Sequence, residues 1–289
     1  MNSFLNHLSR TIIICLSLIS CAFQATEPVL SWQKALGYRA SELYPISIGK
    51  YGYPYVTVAA NGQKLNLVWD TGNMSGLVLN TDITARMKLP IVGESKSYDS
   101  SGAMIGTRRA FNVHELGAFG KIWTDVRAYE INTSDIDGLL GPRFLLGQRF
   151  TLDYLNKVMA VSDTPLPKGV EASGVLPLIQ SPELKGMILV RGAVNGRQVL
   201  MQIDTGKSRT CVDPRLVVSD KLPESGNGYR LSEVKIGPYS FSVPSAKQVD
   251  FKGLSEGLPE PILLGVGSDI LSQVVLTVDY SGQVMKIAK

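Results

Sequence analysis

Two carboxylates, Asp70 and Asp204, each stand in an Asp-Thr-Gly triplet that closes an apolar run: Leu67-Val68-Trp69-Asp70-Thr71-Gly72 and Leu200-Met201-Gln202-Ile203-Asp204-Thr205-Gly206. Either Asp alone reads as a turn residue that caps its own backbone. As a pair they are a different chemical object. Carboxyl groups held in contact cannot both ionise, so they share a proton and titrate as a coupled unit. The ionised member can draw a proton from a bound water while the protonated one donates to a carbonyl oxygen. Such a pair needs no metal and no cofactor, and neither is expected here. The chain holds only 2 His and 3 Cys. His7 falls in an N-terminal leader, which leaves His114 alone, so Ser-His, Cys-His and His-zinc chemistry lack their constellation.

The elements that must position the two Asp residues repeat. Asn61-Gly62 and Asn195-Gly196 precede Asp70 and Asp204 by the same interval, and Asn-Gly is the strongest short-range hairpin signal. Downstream, Leu139-Leu140-Gly141 is answered by Leu263-Leu264-Gly265, and Leu152-Asp153-Tyr154 by Val278-Asp279-Tyr280. The chain is therefore read as an internal duplication, each half bringing one carboxylate to a turn. Strands are expected over 53–58, 64–69, 76–79, 111–116 and 122–130 in the first half, and over 187–191, 198–203, 210–212, 231–236 and 239–243 in the second. Short helices are expected over 81–87 and 142–147. The Pro- and Gly-rich run 164–180 reads as a linker between an N-terminal lobe, 46–163, and a C-terminal lobe, 181–289, after a lead-in over 21–45. Short strands at this spacing argue for two small β-barrels.

These residues resemble the aspartic proteases of the pepsin and retropepsin superfamily, from near Tyr53 to the C-terminus. The resemblance implies an all-β fold of two pseudo-symmetric closed β-barrel lobes with the active site between them. It implies Asp70 and Asp204 as the catalytic pair, with Thr71 and Thr205 exchanging hydrogen bonds between the two loops. Gly72 and Gly206 would allow close approach of the partner loop. Ser101-Gly102-Ala103-Met104-Ile105-Gly106-Thr107 has the small, apolar, Gly-bounded character of a flap tip, although any Gly-rich hairpin turn shares it. Gly102, Ala103, Met104, Ile105 and Gly106 are accordingly the expected substrate-covering residues, with Ser225-Gly226-Asn227-Gly228 a weaker second-lobe counterpart.

The pattern departs from the family after each triplet. Pepsins place Ser or Thr there, bonded to the outer carboxylate oxygen, where this chain has Asn73 and Lys207. Asn73 can still donate a hydrogen bond. Lys207 is expected to point to solvent, as Lys usually does. With both facing away, best activity is expected in weak acid, roughly pH 4 to 6. The expected function is an endopeptidase acting as a monomer on extended polypeptide. A catalytically silent relative that binds peptides, or a structural lipoprotein that retains the fold, are the alternatives.

Arg10 and the apolar run 11–19 read as a secretory leader over 1–20, too short to span a bilayer. Leu18-Ile19-Ser20-Cys21 resembles a bacterial lipobox, which would lipidate Cys21 and attach the protein to a membrane of the cell envelope; ordinary cleavage would give a soluble periplasmic or secreted form. Cys211 is then the one thiol of the folded body and reads as a core residue. Net charge is only +4 and no basic block is interleaved with aromatics, so nucleic acid is not an expected partner. Asn73-Met74-Ser75 and Asn132-Thr133-Ser134 match the N-glycosylation pattern.

Overall fold

The computed structural model describes residues 30–133 and 135–289. The leader, Cys15 and the Cys21 lipidation site lie outside them, as does Ser134 of the second glycosylation pattern. The described chain is mostly β.

The two Asn-Gly pairs do what their chemistry dictates. Asn61 and Gly62 take φ of 46° and 78°, and Asn195 and Gly196 take 48° and 85°, the doubly positive turn that Asn-Gly favours. The first joins Pro54–Ala60 to Gln63–Trp69, and the second joins Ile188–Val194 to Arg197–Ile203. Each Asn also spans to the same kind of distant neighbour. Asn61 N–H donates to the Glu115 carbonyl (2.8 Å) while its side-chain oxygen accepts from Glu115 N–H (3.0 Å). Asn195 makes the same pair of bonds with Glu233, at 2.9 and 3.0 Å. Along Pro54–Ala60 burial alternates, so Val56, Val58 and Ala60 enter the core.

Six strands of the second half close into a barrel. Their order is Ile188–Val194, Arg197–Ile203, Ile262–Val266, Cys211–Val212, Tyr239–Gln248 and Gly228–Ile236, and the last pairs back onto the first. In the first half the order runs Pro54–Ala60, Gln63–Trp69, Gly138–Leu140, Leu77–Asn80, Lys121–Ile131, Met104–Ala118, and Ala59 and Ala60 also pair with Gly117 and Leu116.

One expected match is corrected. Trp69 stands beside Leu140 in a parallel ladder, and Ile203 stands beside Val266 in the other. Asp70 N–H donates to the Leu140 carbonyl and Asp204 N–H to that of Val266, both at 3.0 Å. The partner of Leu139-Leu140-Gly141 is thus Gly265-Val266-Gly267, two residues beyond Leu263-Leu264-Gly265. Parallel register selects the pair; the shared Leu-Leu-Gly letters do not.

The lobe boundaries also need revision. Arg149–Asp153 and Val275–Asp279, one from each half, pair antiparallel at the centre of a six-stranded sheet. Thr151 and Thr277 face each other there with hydroxyls 2.8 Å apart. Val158–Ser162 and Val284–Ala288 flank them. The lead-in supplies an edge, Leu43–Pro45, and the segment read as a linker supplies the other, Val175–Pro177. Val158–Ser162 and Val284–Ala288 therefore join a shared platform that both halves build. One core runs through the halves, with Trp69 packed edge-on against Phe119 and Phe150 at 5.9 and 5.4 Å between centroids. Among the described residues no helix is long and apolar enough to cross a membrane.

Candidate active site

Asp70 and Asp204 each follow a buried strand and meet where the two halves touch. The loops are tied together four times. Thr71 N–H donates to the Thr205 hydroxyl oxygen (3.1 Å) and Thr205 N–H to that of Thr71 (3.0 Å). The Thr71 hydroxyl donates to the Ile203 carbonyl (2.8 Å), and the Thr205 hydroxyl to that of Trp69 (2.5 Å). Both threonines are fully buried. All four bonds exchange groups between halves, so each hydroxyl is saturated only when both loops are in place.

The glycines permit the approach. A Cβ built on Gly72 would lie 2.4 Å from Asp204 Oδ2, and one on Gly206 would lie 2.3 Å from the Asp70 carboxyl carbon. No side chain fits either place. Gly72 N–H donates to Asp70 Oδ1 and Gly206 N–H to Asp204 Oδ1, both at 2.9 Å, which fixes one oxygen of each carboxyl. Burial first, and the Asp204 carboxylate second, push the Asp70 carboxyl well above the usual carboxylate range.

The residues after the two triplets differ from each other and from expectation. Lys207 does not point to solvent. Its ammonium donates to Asp204 Oδ2 at 2.5 Å, the oxygen that Gly206 leaves free. The Asp204 carboxylate, 3 % exposed, outweighs the general preference of Lys for water. Burial alone would depress the Lys207 ammonium, but Asp204 holds it above its ordinary range. Asn73 turns away from the pair: its amide donates to the Gly76 carbonyl (2.9 Å) and its oxygen accepts from Ser75 N–H (3.0 Å). Asn73 is also buried, so the first glycosylation pattern is closed to a glycan.

The expected flap is a hairpin of Ile91–Tyr98 and Met104–Ala118. Its turn spans 99–103, where Asp99 Oδ1 accepts from Ser101 N–H, the Ser101 hydroxyl and Ala103 N–H at 2.9, 2.6 and 3.1 Å. Gly102 and Ala103 thus lie in the turn, while Met104, Ile105 and Gly106 begin the returning strand, with Met104 and Ile105 exposed. The tip rests on the second half: Leu254 N–H donates to the Ser100 carbonyl at 3.1 Å. Ser225-Gly226-Asn227-Gly228 forms the turn of a much shorter hairpin, in which Glu224 and Ser225 pair antiparallel with Tyr229 and Gly228.

Three residues of the site were not anticipated. Ser268 fixes the second loop from behind, its N–H and hydroxyl both donating to the Lys207 carbonyl at 2.8 and 2.9 Å. Asp269 accepts from the Thr210 N–H and hydroxyl at 2.9 and 2.8 Å. Tyr154 is buried beside Ser268, and burial raises its hydroxyl well above the ordinary range. A Ser-Asp helix start after Gly267 was a signal available for the first two. Cys211 is buried as expected, its thiol on the Arg209 carbonyl at 3.3 Å, and burial pushes it up, away from nucleophilic use. Among the described residues no cluster of His, Cys, Asp and Glu could hold a metal ion. The pair and its loops can activate water between two carboxyls of unequal surroundings. Among known proteins, no family model and no curated relative matches this chain.

Proposed function

We propose that the protein is an aspartic-type endopeptidase of two pseudo-symmetric, retropepsin- or pepsin-like barrel lobes that cleaves extended polypeptide. The observation that carries this reading is the reciprocal Thr71–Thr205 lock, which holds Asp70 and Asp204 against each other's glycines. In the mechanism, Asp70 keeps the shared proton and donates it to the scissile carbonyl oxygen, while Asp204 takes a proton from the attacking water. The tetrahedral intermediate then collapses with return of a proton to the leaving nitrogen. An extended substrate lies under the hairpin tip and pairs its backbone with strand edges. One chain supplies both carboxylates, so the active species is a monomer, and no cofactor takes part. From the lipobox-like Cys21, the site of action is the bacterial cell envelope, with a lipidated N-terminus.

A second reading, a silent relative that holds peptides, is favoured by the Lys207 contact, which occupies one oxygen of Asp204. Purified protein incubated with unfolded casein from about pH 3 to pH 7, with and without pepstatin, separates the two when run beside Asp70→Asn and Asp204→Asn. The protease reading expects cleavage that each single substitution abolishes. Cleavage unchanged in both variants, or none in the wild type, would end it.

A further inference from the structure

The two triplets are identical, yet their carboxyls are not equivalently held. Gly72 and Gly206 each satisfy one oxygen. The second oxygen of Asp204 receives the Lys207 ammonium, whereas Asn73, at the same position of the first loop, spends both its amide groups on Gly76 and Ser75. The Lys207 contact is housed rather than incidental. Its carbonyl is clamped by Ser268, and its ammonium stands 5.8 Å from the centre of the Phe251 ring. A Cβ on Gly265 would lie 3.4 Å from Lys207 Cε and 2.8 Å from the Phe251 ring, so the glycine leaves the space that the Lys stem and the ring fill. The side chain is 23 % exposed.

We propose that Lys207 is a positioning residue that fixes the charge asymmetry of the pair, holding the negative charge on Asp204 and leaving the shared proton on Asp70. It takes the place that a hydroxyl residue holds in pepsins and adds a full charge. The titratable groups facing it are Asp204, Asp70 and the Cys211 thiol, with the Tyr154 hydroxyl behind Asp204. A cation beside the pair stabilises negative charge on it, so the first ionisation of the coupled pair lies lower with Lys207 present than without it. Activity then extends further into acid than a pair without donors allows. The proposal rests on the endopeptidase reading for its consequence, but its charge distribution can be measured without turnover.

The test compares wild type with Lys207→Met, Lys207→Gln and Lys207→Arg by two readouts. Carboxyl carbon NMR of Asp-labelled protein follows the titration of Asp70 and Asp204, and peptide cleavage gives kcat and KM against pH. In Lys207→Met and Lys207→Gln the first ionisation should rise by about one unit or more, and the acidic limb of kcat should move with it, a loss of about tenfold at the foot of that limb. KM should change little, and Lys207→Arg should restore both. Titration curves of either neutral variant that superimpose on wild type would overturn the proposal, as would an Arg variant that behaves like Met. If no variant, wild type included, cleaves peptide, the endopeptidase reading fails while the carbon titration still decides the role of Lys207. If Lys207→Met does not fold, Lys207→Gln carries the neutral arm.

Discussion

Gly102 and Gly253 meet backbone to backbone at the point where the first-half hairpin touches the second half. A Cβ on Gly253 would stand 2.3 Å from Gly102 N, and one on Gly102 would stand 3.2 Å from Gly253 Cα. Together with the Ser100–Leu254 hydrogen bond, this main-chain contact ties the hairpin tip to the second half.

A branched side chain at Gly253 therefore has no place while the hairpin is down. Gly253→Val is expected to lift the tip and speed amide hydrogen exchange across 99–103, with little change in melting temperature, since the tip is largely exposed. Under the endopeptidase reading KM for peptide rises. Unchanged exchange in that segment would show that the contact does not hold the hairpin.

The threonine lock predicts a stability loss that is shared, not summed. Thr71→Val removes an acceptor for the Thr205 N–H and leaves the Ile203 carbonyl without its donor, two buried groups at about 1–3 kcal/mol each. Thr205→Val should cost a similar amount. The double substitution should cost clearly less than both together, because the two residues serve one network. Urea unfolding of the four proteins gives the coupling, and strict additivity would mean that the loops are held by something else.

Asp70 gives a sign that runs against ordinary acid denaturation. Its carboxyl is held above its unfolded value by burial and by Asp204, so the fold favours its protonated form. The cost to stability is absent below the unfolded pKa and grows as pH rises above it, until the folded value is passed, at about 1.4 kcal/mol per unit of pKa difference. Asp70→Asn should therefore raise the melting temperature at about pH 7, leave it nearly unchanged at about pH 3, and abolish cleavage. Calorimetry at the two pH values checks this, and a lower melting temperature near neutrality would contradict it.

Close approach at the two glycines makes them intolerant of the smallest side chain. Gly206→Ala would drive a methyl into the Asp70 carboxyl at 2.3 Å, so the loops must part. Loss of cleavage by at least about a hundredfold is expected, since a displacement of this order commonly costs that much. Cleavage retained in either Gly72→Ala or Gly206→Ala would place the reacting groups elsewhere.

Much of this arrangement was legible in the chain because it depends on local chemistry. Asn61-Gly62 and Asn195-Gly196 dictate their turns, and Asp70 and Asp204 inherit matched strands from them. What was not legible depends on distant pairing. Leu263-Leu264-Gly265 looked like the partner of Leu139-Leu140-Gly141, but parallel register with Ile203 shifted the match by two residues. Arg149–Asp153 and Val275–Asp279 carry nothing locally that announces their pairing with each other. Lys207 was misjudged because a general preference for water says nothing of a buried carboxylate three residues away.

The reciprocal threonine bonds carry a consequence for how the chain is made. A molecule in which only the first half has folded has Asp70 without a neighbour and Thr71 N–H without an acceptor. Half a chain cannot assemble the pair; under the endopeptidase reading, activity waits on the second half, whose strands Val275–Asp279 and Val284–Ala288 complete the shared platform.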